Sequence, residues 1–178
     1  MTYYGGKELA RSFRVVRKNT LAIAEEIPEQ QYGFRPSPAC RSVAEILAHI
    51  AISSRGNYET HVVKRIQTFI GIDFPALHRQ RAEAERKLVS KGEIVEALRG
   101  DGELWGAFLD GVTEDVLSQA VTFPEPIEPR FKSRLEMFLQ VKEHEMHHRA
   151  QLMVYERMLG MVPHLTRERE ARMGQSAR

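Results

Sequence analysis

The chain has 178 residues, 42% of them hydrophobic and 28% charged, with Lys+Arg 26 against Asp+Glu 24 and a net charge of +2. That is enough chain for one domain with its own core, and the charge balance offers no basic stripe for phosphates, so no nucleic-acid partner is expected. The single cysteine, Cys40, excludes an internal disulfide and fits a reducing compartment. No run approaches the ~18 apolar residues of a membrane span, and MTYYGGKELARSFR is too polar for a secretory leader. The expected location is the cytoplasm, with no membrane partner.

Four segments carry helical periodicity, and none reads as a strand. The first, Lys7 to Ile27, places Leu9, Phe13, Val16, Thr20 and Ile23 at three- and four-residue spacings and is stopped by Pro28. A loop with Pro36 and Pro38 follows. Ser42-Val43-Ala44-Glu45 then forms a capping box, in which hydroxyl and carboxylate exchange hydrogen bonds with each other's backbone amides. The second helix starts there, buries Val43, Ile46, Leu47 and Ile50, and is expected to run on towards Gly71 with a bend at Gly56. Asp73 to Val89 is charged and reads as part loop, part exposed helix.

Ser90-Lys91-Gly92-Glu93 repeats the capping box and opens the third helix, with a stripe of Ile94, Leu98, Trp105, Phe108 and Leu109. Gly100 and Gly102 weaken it by roughly 1 kcal/mol each relative to Ala. Thr113 to Val116 reads as one helical turn, and FPEPIEPR as an extended crossover. The fourth helix runs from Lys132 to Leu159 and stops at Gly160. The expected organisation is an all-α four-helix bundle over residues 1–165, followed by a charged, disordered tail over 166–178.

Seven histidines are present, and three of them, His144, His147 and His148, fall within five residues. Residues four apart on a helix differ by about 40° around the axis, so His144 and His148 share a face. That face is the apolar stripe of Met137, Val141, Leu152, Tyr155 and Leu159, whereas His147 groups with Gln140, Glu143 and Ala150 on a polar flank. Two buried imidazoles need partners, because an unsatisfied buried polar group costs about 1–3 kcal/mol. A divalent metal would satisfy them, since neutral imidazole suits Zn, Ni, Cu and Fe; a hydrogen bond to a backbone carbonyl would serve equally well. His49, at the edge of the second helix's buried stripe, is a candidate third ligand under the same two readings. Glu45, Gln151 and Glu145 are candidate acceptors for an imidazole N–H; His61 and His78 read as surface residues and His164 as lying past the last helix, all three outside the site unless the tail brings His164 back to its mouth.

Two segments together carry a resemblance. YGFRPSPACRSVAEILAHI and HEMHHRAQLMVYERMLGMVP resemble the DinB/YfiT-like metalloenzyme family through Arg35-Pro36, Ser42, Glu45, Leu47 and His49, then His144, His148, Arg149, Gln151, Leu152, Leu159-Gly160 and Pro163. The resemblance spans about Gly6 to Pro163. It implies an up-down-down-up bundle, a homodimer, and a metal site of His49, His144 and His148. Relatives in the family include bacillithiol transferases and a mycothiol-dependent isomerase, so it also implies a small-molecule thiol as substrate. Asp73 to Val89 and FPEPIEPRF depart from the family pattern, so a particular substrate is not carried over.

The functional expectation is a metal-dependent enzyme, a thiol S-transferase or a hydrolase, using Ni or Zn, or alternatively Fe. The alternative is a non-catalytic, stress-related bundle that binds a metal or another ligand. A dimer is expected because faces on the first and third helices look apolar enough to pair, with the choice of face left open.

Overall fold

The computed structural model describes residues 4–176. Each long helix begins at a cap written in the sequence. Helix α1 is Gly6–Glu26 and α2 is Val43–Tyr58. In the α2 box the Glu45 amide donates to Ser42 Oγ at 3.2 Å, and the Ser42 amide donates to the Glu45 carboxylate at 2.8 Å. Asp73 caps α3, Phe74–Arg86, by accepting from the Ala76 amide at 2.8 Å. Helix α4, Lys91–Gly111, opens on Ser90 and Glu93, and α5 is the short turn Glu114–Leu117. A third box, Ser133 with Glu136, opens α6, Arg134–Met158. Helix α7 is His164–Ser176.

Helices α1, α2, α4 and α6 form the bundle, and their directions follow from which ends meet. The start of α1 lies on the end of α4 through Gly6 against Leu109 and Val112. Its end lies on the start of α4, where Lys91 Nζ donates to the Glu25 and Ile27 carbonyls at 2.7 and 2.8 Å. One core cluster joins Ile23 and Ile27 of α1, Val43, Ile46 and Ile50 of α2, Ile94 and Leu98 of α4, and Leu152 and Tyr155 of α6. The starts of α2 and α4 therefore meet the ends of α1 and α6, which is the up-down-down-up order. A second cluster at the other end gathers Leu9, Phe13, Trp105, Leu109, Phe138 and Val141.

Between the two clusters lies a polar layer. The Arg17 guanidinium, 4% exposed, donates through Nε and Nη2 to the buried Glu145 carboxylate at 2.8–3.1 Å, to Ser54 Oγ at 2.6 Å, and to the Leu98 carbonyl. Each of the four bundle helices contributes to it. Gly102 explains itself here: a Cβ at that position would lie 2.8 Å from the guanidinium. The glycine that weakens α4 locally makes room for the ion pair.

Four departures from the sequence expectations have physical causes. The second helix does not continue to Gly71; it widens into a π-helical turn at Glu59–Val63 and ends there. The Pro-rich crossover folds back on itself, so that β1, Ala120–Thr122, pairs antiparallel with β2, Phe131–Ser133. Three residues are too few to show strand periodicity. The tail is helical, not disordered, within the described residues. Its first turn is tied down by Arg167 on Glu26 at 2.7 Å and Arg157 on Thr166 at 3.0 Å, although its later turns bury nothing. Finally, the apolar residues of α1 and α4 are taken up by the core; the large ones left exposed are Val15 and Leu104, beside ion pairs such as Arg14–Asp110 and Arg99–Glu25. No helix of the described residues is long and apolar enough to cross a membrane.

Truncating one partner of a buried ion pair strands the other charge, at about 3–5 kcal/mol. Glu145→Ala should lower unfolding stability in urea by that amount. Arg17→Met with Glu145→Met should cost less than Glu145→Ala alone, because no charge is left buried.

Glu156, on α6, is fully buried and neither carboxylate oxygen has a partner. Burial, reinforced by Glu26, pushes its pKa up to about 7 from 4.5 against the pull of Arg167 and Arg157. The folded state thus holds this proton more tightly than the unfolded state. Its stabilising effect is complete below pH 4.5 and is lost as pH rises through 7, about 3 kcal/mol in all. Denaturation at pH 5 and pH 8 should show this decline, and Glu156→Gln should flatten it.

Candidate metal centre

His49 projects from α2 beside the buried residues Ile46 and Ile50, and His144 and His148 project from α6 one turn apart. Because α2 and α6 run antiparallel in contact, the three imidazoles meet. His49 Nε2 lies 3.0 Å from His144 Nε2, and His148 Nε2 lies 3.2 Å from it. The three candidate ligand atoms are all within 4.8 Å of one another, and all three side chains are half-buried.

The outward nitrogens settle which atoms face inward as lone pairs. His49 Nδ1 is 2.7 Å from Glu85 Oε1, and His148 Nδ1 is 2.8 Å from Gln151 Oε1. A carboxylate and an amide oxygen only accept, so both Nδ1 atoms carry a proton, and in a neutral ring that leaves Nε2 as the bare, inward-facing nitrogen. The Gln151 amide nitrogen lies 3.3 Å from His147 Nε2, which is consistent with that orientation. His144 Nε2 sits between two acceptors and can donate to only one of them. Apposed lone pairs repel, whereas a cation among them satisfies all three. Nitrogens about 2.1 Å from one ion at roughly 90–109° to each other lie about 3.0–3.4 Å apart. The two pairs that share His144 have this spacing and the whole set lies within 4.8 Å, so the residues fit a divalent ion once the His49 and His148 rings close on it.

The electrostatics act in the same direction. Burial, aided by the neighbouring imidazoles and Arg41, pushes His144 down to about 4. Burial also lowers His148, against the opposing bond from Gln151. Both are therefore neutral at pH 7, the form that ligates. Burial alone would raise Glu85, but the His49 hydrogen bond and the charges of His49, Arg41 and Arg81 bring it net below the usual range. It is ionised when it orients His49.

Of the expected acceptors, Gln151 is on an imidazole and the other two are elsewhere. Glu45 is engaged by Arg35 at 2.5 and 2.7 Å in addition to its capping bond. Glu145 belongs to the Arg17 layer. The acceptor on His49 is Glu85 of α3, which the sequence reading missed. Position 85 lies in a segment without an apolar stripe, and α3 buries no residue. Helix α3 is set against α2 at Gly56, where a Cβ would lie 2.8 Å from Arg81 Nε. Glu85 follows Arg81 by one helical turn.

His147 and His78 are exposed, as expected. His61 and His164 are not surface residues. His61 is 5% exposed in the π-helical turn, with Arg134 Nη1 donating to its Nδ1 at 2.8 Å and Phe138 edge-on. His164 is buried against α1, 3.4 Å from Asn19 Oδ1.

With this geometry in hand, the relatives can be read. The family model of the DinB superfamily matches residues 12–152. The chain belongs to the DinB superfamily. Comparison with curated proteins finds no match. Among solved structures it is similar to YfiT from Bacillus subtilis, described as a probable metal-dependent hydrolase with an unusual four-helix bundle topology. That likeness has a TM-score of 0.70 at 13% identity, over 90% of this chain and 91% of that one. A DinB-like protein of Bacillus subtilis, YjoA, gives 0.61 at 20% identity over 87% and 93%. The colibactin self-resistance protein ClbS, solved in complex with a dsDNA, gives 0.63 at 12% identity over 88% and 98%. These likenesses establish the fold. One bundle of this fold is therefore seen on duplex DNA, and the expected exclusion of nucleic acid is not supported.

Losing an outer partner of a ligating imidazole typically weakens metal affinity 10- to 100-fold. Glu85→Gln should weaken uptake of Zn by about that factor in a chelator competition, while Glu45→Gln, which frees only a cap and Arg35, should leave it near wild type.

Proposed function

We propose that this protein is a metal-dependent enzyme, a hydrolase or a thiol S-transferase, in which His49, His144 and His148 hold one divalent ion, Ni or Zn ahead of Fe. The observation that supports it most is the inward lone pairs of His49 and His148, fixed by Glu85 and Gln151 on the far side of each ring. A divalent ion held by three neutral histidines has room for a further ligand and lowers the pKa of a coordinated water or thiol towards neutrality. The chain's own part is to keep His144 and His148 neutral by burial, to hold a proton on the outer nitrogen of His49 and of His148, and to leave the three side chains only half-buried. The homodimer implied by the family belongs to this reading, and sedimentation would read it.

A second reading, a non-catalytic metal- or ligand-binding bundle, draws on one feature. Glu85 and Glu45 are both engaged, so neither is free to act as a general base.

Elemental analysis after loading with Zn, Ni or Fe should show about one ion per chain. The loaded protein is then screened against ester and amide hydrolysis, and against addition of a low-molecular-weight thiol to electrophiles. His148→Ala should lose both the ion and turnover with helix content unchanged. Uptake without turnover in either panel selects the second reading; no uptake by the wild-type chain sinks both.

A further inference from the structure

The site's neighbourhood holds one feature that ligand geometry does not use. A groove of about 560 Å3 runs between the start of α2 and the end of α3, lined by Arg41, Ala48, Ala82, Glu85, Arg86 and Leu88, among others. It adjoins the histidine cluster, because Glu85 forms part of its wall and is bonded to His49 at 2.7 Å. The volume suits a small organic molecule.

The charges in this groove are uneven in a useful way. Its two carboxylates are committed, Glu45 to Arg35 and Glu85 to His49. Its two guanidiniums are free: among the described residues neither Arg41 nor Arg86 makes a side-chain hydrogen bond or ion pair, and both are exposed. The backbone of Arg41 is pinned, since the Tyr155 hydroxyl of α6 donates to its carbonyl at 3.0 Å. An uncommitted arginine on a fixed backbone is suited to a carboxylate, which its planar fork can bind in a bidentate manner. Counting Arg35 with the Glu45 it pairs, three guanidiniums and two carboxylates leave a single positive charge in excess. A monoanion matches it better than a doubly charged phosphate. Ala44, Ala48, Ala82 and Leu88 supply an apolar floor beside the cations.

We propose that the groove between α2 and α3 receives the substrate of the candidate metal centre, and that this substrate is an amphiphilic carboxylate, its acid group on Arg41 and Arg86 and its apolar body along the alanine floor towards Glu85 and His49. The assignment rests on the metal-enzyme reading for the word substrate; the binding itself does not need the ion. Arg41 and Arg86 are specificity-determining residues in this arrangement.

The test is calorimetric titration of the full chain, without added metal, against hexanoate, hexanamide and inorganic phosphate. Loss of charge-assisted bonds should cost about tenfold or more, so hexanoate should bind at least about tenfold tighter than hexanamide. Arg41→Gln with Arg86→Gln should abolish that preference, and Arg99→Gln, on α4, should keep it. Equal affinity for the two hexanoyl probes, a preference that survives the double variant, or phosphate as the tightest ligand overturns the proposal. In protein loaded with Co(II), the proton signals of bound hexanoate should broaden by proximity to the paramagnetic ion; binding without broadening overturns the substrate assignment. If no ion is taken up, the metal-enzyme reading and the substrate assignment fail together, while the metal-free titration still decides whether the groove binds a carboxylate.

Discussion

A single guanidinium sets how the bundle helices stand against one another. Arg17 of α1 reaches the Glu145 carboxylate of α6, the Ser54 hydroxyl of α2 and the Leu98 carbonyl of α4. A planar donor with five N–H groups can serve three helices at once, which an ammonium on a flexible stem does less well. The pair is not needed for bulk stability, since well-packed apolar residues would do as much or more. It specifies rotation. With Glu145 directed into the core, His144 is presented towards α2, and with Ser54 held by the same group, His49 is presented towards α6. The histidine cluster is thus a consequence of a polar layer that contains no histidine.

The bundle alone brings three nitrogens together, and it leaves their protons undetermined. The protons are placed by side chains outside the ring of packed stripes. Gln151 sits on α6 itself, but Glu85 comes from α3, a helix with no fully buried residue that meets the core through Phe74 at its start. Helix α3 is held on α2 by a close approach at Gly56 and by polar contacts, so its seating and the orientation of His49 are one and the same arrangement. Burial then keeps His144 and His148 uncharged, and the cluster escapes the mutual repulsion that three imidazolium ions would suffer.

How much of this could be read from the sequence depends on where each signal is carried. Bundle helices are legible because each repeats an apolar stripe over many turns, and α2 and α4 also open on capping boxes at Ser42 and Ser90. The pairing of His144 with His148 is legible for the same geometric reason, and His49 gains its place from the motif that surrounds it. Arg17 is not singled out there: it lies at a buried phase of α1 between Phe13 and Thr20, but a charge at such a position does not name its partner. Glu85 and the short strands are not legible, because their contacts lie across the chain in segments without periodicity. His61 was misread because its burial is produced by the π-helical turn and by Arg134, 73 residues later.

Helix α3 has a further consequence for how such a bundle can vary. Two adjacent residues on it have opposite duties: Glu85 turns to His49, while Arg86 stands free in the groove beside it. Neither duty involves the core, since no α3 residue is buried. Substitutions at Glu85 and Arg86 therefore leave the Arg17 layer and both apolar clusters intact, and the cavity penalties that restrain core changes do not apply there. The four packed helices fix where the three imidazoles meet; α3 fixes the orientation of His49 and one wall of the groove beside it. A scaffold divided in this way can keep its inorganic site constant while its choice of organic partner drifts, because the two are held by separate sets of contacts that share only Glu85.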